Sequence, residues 1–252
     1  MTEPISSIRT KLEQADEAGR AALLEEYRQD GRAGVQALVK KYIKAGEALE
    51  KERARLEQMR VFEHEYESVG IVCGIDEAGR GPLAGPVVAG AVILPKDCEI
   101  LYLNDSKQVS EKKREALFDE IRERAVAYGI GIVGPERIDE INILQATYEA
   151  MRKALDELKV KPAVLLNDAV TIPGVPYAQV PIIHGDAKSV SIAAASILAK
   201  VTRDRMMREY ALQYPEYGFE KHKGYGSAEH MQVIREIGPC PIHRRSFITK
   251  LI

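Results

Sequence analysis

Cysteine is scarce in this sequence, and its scarcity excludes several classes of protein. Among 252 residues there are three cysteines, Cys73, Cys98 and Cys240, and no two of them form a C-x-x-C pair. An odd number without such a pair is not typical of a disulfide framework or of a cysteine-rich zinc site. The sequence favours a reducing compartment, and we therefore expect a cytoplasmic protein.

Long hydrophobic runs are also missing. The longest weakly polar stretch, residues 190–199, is far shorter than the roughly 20 apolar residues that span a bilayer. The first 20 residues are charged and have no apolar core of the kind found in secretory signals. We expect a globular protein that works away from membranes, with one large domain and a smaller one.

A strong excess of charge of one sign is absent too. The chain has 36 basic and 38 acidic residues, a net charge of −2, so its surface is not cationic as a whole. A local basic patch is nevertheless enough to bind nucleic acid. Residues 188–208 carry five bases and one acid, and residues 217–250 mix bases with aromatic side chains. The second segment favours a nucleic-acid surface, whereas the first is also compatible with an ordinary solvated helix face.

The first 66 residues are predicted to form a helical extension. Apolar residues recur every seven positions at Val35, Tyr42, Leu49 and Leu56, which is typical of an amphipathic helix. We predict helices over residues 6–15, 18–29 and 32–60. The extension is either an appendage that packs or faces substrate, or an oligomerisation arm, because one such pattern does not identify its partner. The predicted domains are residues 1–66 and 67–252, and the second should fold without the first.

From Val69 onward the pattern changes to short apolar runs alternating with helices. Such runs, rich in Val and Ile, are typical of buried strands. Strands are predicted at 69–75, 86–94, 129–133, 163–167 and 177–183. Helices are predicted at 111–128, 141–158 with a break near Asn142, 189–210 and 228–237. This order favours an α/β fold with a mixed five-stranded sheet and helices on both faces.

Acidic residues stand where predicted strands end. Asp76 and Glu77 follow the first strand, Asp168 follows the fourth, and Asp186 follows the fifth. If the first and fourth strands are neighbours, several carboxylates crowd together and need a hard cation such as Mg²⁺ or Mn²⁺. Adjacent residues of a strand point to opposite faces, so we expect Glu77 to lie beyond the strand, in a turn. The alternative for any one acid is a solvated strand-end charge or a helix cap.

The glycine-rich loop at residues 79–85 (GRGPLAG) follows these acids. It matches neither the G-x-G-x-x-G nor the G-x-x-x-x-G-K-[ST] nucleotide-binding pattern. Small residues and an arginine beside an acidic centre suit close backbone approach to a sugar-phosphate chain. The alternative is a tight connection between two strands.

Several blocks together resemble the type II ribonuclease H family, ribonuclease HII, from about Val69 to Phe247. The blocks occur in the family's order: GIDEAGRGPLAGP at 74–86, NDSK at 104–107, GD at 185–186, SIAAASI at 191–197, AKVTRD at 199–204, HKGY at 222–225 and HRRSF at 243–247. The resemblance implies a ribonuclease H-like fold, and the sequence pattern adds the N-terminal helical extension and a C-terminal helical segment. It also implies metal-dependent hydrolysis of RNA in RNA–DNA hybrids and cleavage 5′ to ribonucleotides embedded in duplex DNA, leaving 3′-hydroxyl and 5′-phosphate ends.

The resemblance also assigns residues. Asp76, Glu77, Asp168 and Asp186 match the catalytic acids that hold Mn²⁺ or Mg²⁺, with two ions in the catalytic complex. The predicted substrate-binding residues are Gly79, Arg80, Gly81, Lys107, Lys188, Lys223, Tyr225, Arg244 and Arg245. The loop 79–81 matches the segment that reads the ribose 2′-hydroxyl, and Tyr225 matches the tyrosine under the sugar at the RNA–DNA junction.

The sequence departs from the family pattern in two places, since minimal members of the family lack the helical stretch 1–66 and one residue differs after Asp168. Ala169 stands where the family often has glycine after the aspartate, which affects the expected turn. The predicted partners are RNA–DNA hybrid and ribonucleotide-containing duplex DNA, and we expect a monomer that removes ribonucleotides or primers from DNA. The alternative is a non-catalytic nucleic-acid-binding module, which would gain nothing from acids that face phosphates.

Overall fold

The first unit of the structure is a small helical bundle. The computed structural model describes residues 3–251 and divides the chain into two compact units, one ending at Arg55 and the other beginning at Leu56. The helices of the first unit are α1 (Ile5–Gln14), α2 (Glu17–Tyr27) and α3 (Ala33–Met59), which continues past Arg55. Its core residues are Ile8, Leu12, Tyr27, Val35 and Val39. The three predicted helices of the extension are confirmed.

The second unit is built on a five-stranded mixed sheet. The strands are β1 (Val72–Ala78), β2 (Val87–Ile93), β3 (Ala127–Val133), β4 (Val164–Asp168) and β5 (Ala178–Ile182). They lie in the order β3-β2-β1-β4-β5, with β1–β2 and β2–β3 antiparallel and β1–β4 and β4–β5 parallel. The predicted sheet and its strand number are confirmed, and the first and fourth strands are neighbours.

Helices cover both faces of this sheet. They are α4 (Val61–Tyr66), α5 (Glu111–Arg124), α6 (Pro135–Asp156), α7 (Val190–Gln213), α8 (Phe219–His222), α9 (Ala228–Ile237) and α10 (Arg245–Ile248). Apolar residues of α6 pack with Ile75 and Val87 on one face, and those of α5 and α7 pack with Val92 on the other. Asn142 breaks α6 with a φ of 66°, as the sequence predicted.

Helix α7 lies unusually close to the sheet. A Cβ atom on Gly74 of β1 would lie 2.1 Å from the Ser191 carbonyl carbon, and one on Gly90 of β2 would lie 2.4 Å from the Ala195 oxygen. Both distances are shorter than any real contact, so the backbones can approach only because side chains are absent. The helix can lie this close because its first half consists mostly of small residues.

Residues 56–66 belong to the core of the second unit. Leu56 and Met59 are buried in the cluster that contains α5 and α7. Phe62 and Tyr66 of α4 pack against buried residues of β4 and β5. The predicted boundary at residues 66 and 67 stays a prediction, since only a separately expressed piece can test it.

The strand ends differ from the predicted ones where pairing is long-range. β1 begins three residues later than predicted and continues to Ala78, because it pairs with β2 through Ala78 and Val88. The predicted helix at 111–128 stops at Arg124, and Ala127 and Tyr128 belong to β3. No helix within residues 3–251 is long and apolar enough to cross a membrane.

Candidate active site

Three aspartates meet at the end of β1 and β4. One carboxylate oxygen from each of Asp76, Asp168 and Asp186 lies within 4.8 Å of the others. Asp76 and Asp168 each stand one residue past the last paired residues of the parallel ladder, Ile75 and Asn167. Asp186 arrives on a 3₁₀ turn, Gly185–Ala187, that follows β5. The predicted convergence of strand-end acids is therefore present in the structure.

These aspartates are held by short hydrogen bonds. The Glu77 N–H donates to Asp76 Oδ1 at 2.7 Å, and the Gly185 N–H donates to Asp168 Oδ1 at 2.7 Å. The second bond ties β4 to the turn that carries Asp186. The Ser196 hydroxyl of α7 donates to the Ser106 hydroxyl at 3.0 Å and lies close enough to Asp76 to lower its pKa, so the helix that packs on the sheet also favours the charged form of this acid.

Burial and mutual repulsion oppose ionisation of these groups. Burial, followed by the charges of Glu77 and Asp168, raises the pKa of Asp76 well above its usual range. Burial, Asp105 and Asp168 together raise the pKa of Asp186 to about 6. Because these carboxylates repel one another when ionised, a bound cation would stabilise them, and hard divalent ions prefer carboxylate oxygen ligands. The donor set therefore fits a divalent metal.

Glu77 occupies a different position from the predicted one. We expected it in a turn beyond the strand, and this was wrong, because Glu77 lies within β1 and its Cα is paired with that of Ala89. Glu77 lines the same cleft as Asp76, although it is not a member of the group of three aspartates. Its Oε1 accepts from Arg80 at 3.3 Å, whereas its Oε2 is buried with no hydrogen-bond partner. Burial raises the pKa of Glu77.

A cleft of about 620 Å³ joins the acids to the glycine-rich loop. It is lined by Asp76, Glu77, Ala78, Gly79, Arg80, Gly81, Ser106, Lys107, Ser196, Lys200 and Tyr225. The Tyr225 side chain is 45% exposed, and a Cβ on Gly81 would lie 3.9 Å from its ring. Two of the predicted acids, Asp76 and Glu77, thus share one cleft with the predicted loop residues and Tyr225.

The predicted basic residues differ in their position relative to the cleft. Lys107 lines the cleft; burial alone would lower its pKa, but Asp105, Asp186 and the other acids outweigh this and raise it. Lys188 follows the Asp186 turn and donates to the Ile183 carbonyl oxygen. Lys223 precedes Tyr225 in the left-handed conformation, with φ 50°. Arg245 is exposed at the start of α10.

Arg244 is placed beneath the loop and not on its surface. Its side chain is fully buried, and its guanidinium donates to the carbonyl oxygens of Gly79, Arg80 and Gly85. It can therefore act on a substrate only through the loop that it holds. The remainder of the basic run on α7 is engaged as well, since Arg205 and Arg208 pair with Glu115.

Two residues that sequence reasoning did not assign to the site contribute to it. Asp105 lies near Asp186, and its charge is one cause of the raised pKa of Asp186. Arg203, which is 1% exposed, donates to the carbonyl oxygens of Ala84, Pro86 and Lys223. Both lie in blocks that resemble the family, but spacing alone does not reveal which residue each one meets.

Three of the five histidines are in contact with one another, and two of them are buried. His230 and His243 bond through their Nε2 atoms at 2.9 Å, and His230 Nδ1 lies 2.8 Å from the Tyr225 carbonyl oxygen. His222 stacks on His230 at 4.4 Å between ring centroids. His230 and His243 are buried away from solvent, so these two histidines support the fold.

Comparison with known proteins gives the same family twice. The family model described as ribonuclease HII matches residues 73–250, and that of the ribonuclease HII N-terminal domain matches residues 4–67. The chain is 60% identical over 251 residues to a ribonuclease HII of Lachnoclostridium phytofermentans, covering 100% of this chain and 99% of that protein.

Solved structures agree with this match. The ribonuclease H2 of Pyrococcus horikoshii superposes with a TM-score of 0.60 and 31% identity, covering 71% of this chain and 96% of that one. The ribonuclease HII in a complex with PCNA from Archaeoglobus fulgidus gives a TM-score of 0.58 and 26% identity, over 72% and 96% of the chains. With family models over both parts of the sequence and a relative of equal length, the chain belongs to the ribonuclease HII family of hydrolytic ribonucleases.

Proposed function

We propose that this protein is a metal-dependent endonuclease that hydrolyses the RNA strand of RNA–DNA hybrids and cuts 5′ to single ribonucleotides in duplex DNA. The products would carry 3′-hydroxyl and 5′-phosphate ends. The observation that carries the proposal is the shared cleft, which is lined by Asp76, Glu77, the loop 79–81 and Tyr225, with Asp168 and Asp186 grouped around Asp76. Membership of a family of hydrolytic ribonucleases favours this reading over a non-catalytic binding module.

Asp76, Asp168 and Asp186, with Glu77 beside them, would hold Mg²⁺ or Mn²⁺, with two ions in the catalytic complex. Divalent ions in this position would neutralise the carboxylates and stabilise the charge that develops on the scissile phosphate. The Glu77 Oε2 atom, which has no hydrogen-bond partner, and the raised pKa of Asp76 support this assignment, since a bound cation would stabilise both carboxylates.

The chain's own residues would position the substrate. The backbone of Gly79–Arg80–Gly81 would contact the ribose 2′-hydroxyl, and the ring of Tyr225 would pack under the neighbouring deoxyribose. Lys107, Lys188, Lys223 and Arg245 would contact phosphates, and Arg244 would contribute by holding the loop. The partners are then RNA–DNA hybrid and duplex DNA with embedded ribonucleotides, and the role is removal of ribonucleotides or primers by a monomeric enzyme.

A cleavage assay on one labelled duplex tests the proposal. The duplex is DNA with a single embedded ribonucleotide, incubated with Mg²⁺, with Mn²⁺ or with a chelator, beside the same duplex made entirely of DNA. We expect one cut, 5′ to the ribonucleotide, only with metal and only in the first duplex. Cleavage of the all-DNA duplex, or cleavage in the chelator, would contradict the proposed substrate or the metal requirement.

A further inference from the structure

The glycine-rich loop is fixed from below by two buried arginines. Arg244 and Arg203 are 0% and 1% exposed, and each donates three hydrogen bonds. Every one of these bonds, within residues 3–251, goes to a backbone carbonyl oxygen. Five of the six acceptors are in the loop or directly beside it, between Gly79 and Pro86, and the sixth is Lys223, two residues before Tyr225.

Burying a guanidinium among carbonyl groups is costly. Burial, and then the nearby charge of Arg203, lowers the pKa of Arg244 to about 9. An apolar side chain of similar size would fill the same volume without the loss of hydration. Arginine differs from such a residue in its planar, forked set of donors, which fixes the directions of several acceptors at once. An arginine at this position is therefore explained if the directions of the loop carbonyl groups are important for function.

The directions of the carbonyl groups determine those of the amide groups. In a trans peptide the C=O of one residue and the N–H of the next point in opposite directions, and no cis bond occurs in the part of the chain that the structure describes. Arg244 holds the Gly79 and Arg80 carbonyl oxygens at 2.5 and 2.9 Å. The N–H groups of Arg80 and Gly81 therefore point away from the buried guanidinium.

These two N–H groups are also without acceptors. Arg80 and Gly81 are exposed and line the cleft, and neither backbone nitrogen donates a hydrogen bond to any described residue. Pro82 follows and has no N–H of its own. The loop is anchored on both sides, since the Leu83 N–H donates to the Gly224 carbonyl oxygen at 2.8 Å. Two unpaired donors thus stand on a rigid segment beside Tyr225.

We infer that Arg244 is a positioning residue that directs the Arg80 and Gly81 N–H groups into the cleft as a paired donor site for one sugar oxygen. This inference rests on the proposed function, and it adds Arg244 as the side chain that fixes the geometry of the loop. The chemistry recognised is a hydroxyl oxygen that a deoxyribose lacks, and a phosphate oxygen at the same point would be bound irrespective of the sugar. A sugar hydroxyl and a phosphate oxygen therefore predict different experimental results.

The first test measures sugar preference in Arg244 variants. Affinities for the one-ribonucleotide duplex and for its all-DNA counterpart are measured with Ca²⁺ for the parent, Arg244→Gln and Arg244→Lys. We expect the ratio of the two affinities to fall about tenfold in both variants, about 1.4 kcal/mol, because lysine keeps the charge but lacks the fork. If Arg244→Lys keeps the parent's ratio of affinities, Arg244 supports binding by its charge alone. If both affinities fall by the same factor and the ratio does not change, Arg244 supports binding only through folding.

Arg60→Gln is the matched control. Arg60 also donates to backbone carbonyl oxygens, those of Lys96 and Cys98, but it lies outside the cleft. We expect its ratio to equal that of the parent. A tenfold loss in Arg60→Gln as well would attribute the effect to general loosening of the fold and would overturn the inference.

A second measurement on the unaltered protein covers the case in which Arg244 variants do not fold. With ¹⁵N-glycine labelling, the Gly81 amide should exchange rapidly with solvent in the free protein and should shift on addition of the one-ribonucleotide duplex but not of the all-DNA duplex. An equal response to both would indicate a phosphate contact and reject the inference. Cleavage by the parent is followed separately, so a failure of the proposed function is distinguishable from a failure of this one.

Discussion

At the scale of single residues, the three aspartates repel one another unless a cation is bound. Asp168→Asn should abolish cleavage while preserving the acceptor oxygen that the Gly185 N–H uses. Without divalent metal the variant should be more stable than the parent, by on the order of 1 kcal/mol, since one like-charge interaction is removed. Cleavage assays and denaturant unfolding in chelator measure the two effects.

Asp119→Asn is a suitable control for that experiment, because Asp119 is exposed on α5 and is not a member of the group of three aspartates. It should change neither cleavage nor metal-free stability. Near-parental cleavage by Asp168→Asn would remove Asp168 from the catalytic set.

Tyr225 provides a test of how the junction between RNA and DNA is recognised. An aromatic ring packs best under a sugar that lacks the 2′-oxygen, so Tyr225→Ala should reduce cleavage at a single embedded ribonucleotide more than cleavage of a continuous hybrid. One lost stacking contact corresponds to roughly 1–3 kcal/mol. Rates on the two substrates are compared side by side. If both fall by the same factor, Tyr225 contacts phosphate or supports the fold and does not read the junction.

Ala169 shows what residue-level reasoning could and could not establish. The sequence marked it as a departure from the family's frequent glycine, and the structure gives it a φ of 54°, in the left-handed region that favours glycine. The turn is kept because the Ala169 N–H donates to the Ile182 carbonyl oxygen at 3.0 Å. The family comparison located the strain, but the hydrogen bond that maintains it joins two strands and could not be inferred locally.

At the scale of elements, residues 56–66 decide where the chain can be cut. Leu56 and Met59 are buried in the second unit, and Glu63 Oε1 accepts from the Ser189 hydroxyl at 2.5 Å and from the Ser191 N–H at 3.0 Å. Ser189 caps α7 three residues after Asp186. The segment therefore supports both the core and the helix that leads out of the catalytic turn.

We predict that a protein lacking residues 1–55 is a folded, metal-dependent nuclease with weaker substrate binding. Removal of residues 1–66 should cost roughly 3–6 kcal/mol more, because two buried apolar side chains are lost, as are the bonds of Glu63. Denaturant unfolding and cleavage rates of the two truncated proteins give the comparison. Equal stability of the two would show that the boundary predicted from sequence, between residues 66 and 67, is also the energetic one.

Much of the element order was predictable, and the reasons for the misses are physical. Helix α3 was predicted within one residue at each end because its apolar repeat is local. The end of β1 was not, because Glu77 and Ala78 are held in the strand by β2, and a partner strand leaves no mark on the residues themselves. For the same reason the strand-end aspartates could be found from sequence, whereas Asp105 and Arg203 acquired their roles only from distant contacts.

At the scale of the whole molecule, buried histidines and buried acids oppose each other as pH changes. Burial lowers the pKa values of His230 and His243 to about 4, so the unfolded chain takes up protons first and stability falls as the pH drops from about 6.5 to 4. Asp186 has a raised pKa of about 6, so the folded chain takes up its proton first and gains stability over part of the same range.

We therefore predict that metal-free Asp186→Asn loses more stability than the metal-free parent between pH 6.5 and 4.5, because the compensating uptake of a proton by Asp186 is gone. The free energy of unfolding is measured by denaturant titration at several pH values in chelator. Parallel pH profiles for the two proteins would mean that Asp186 titrates normally in the folded state. The two profiles should converge in slope above pH 7, where the histidines are neutral in both states.

The close approach of α7 to the sheet determines where this enzyme tolerates amino-acid substitutions. The spacing between helix and sheet is set at Gly74 and Gly90, where hydrogen atoms stand in place of side chains. The same helix carries Ser196, which lowers the pKa of Asp76, and begins just after the turn that carries Asp186. Inactivating substitutions should therefore accumulate at two glycines that contact neither metal nor substrate. A survey of random variants would detect them as essential positions, although they contribute no chemical group to the reaction.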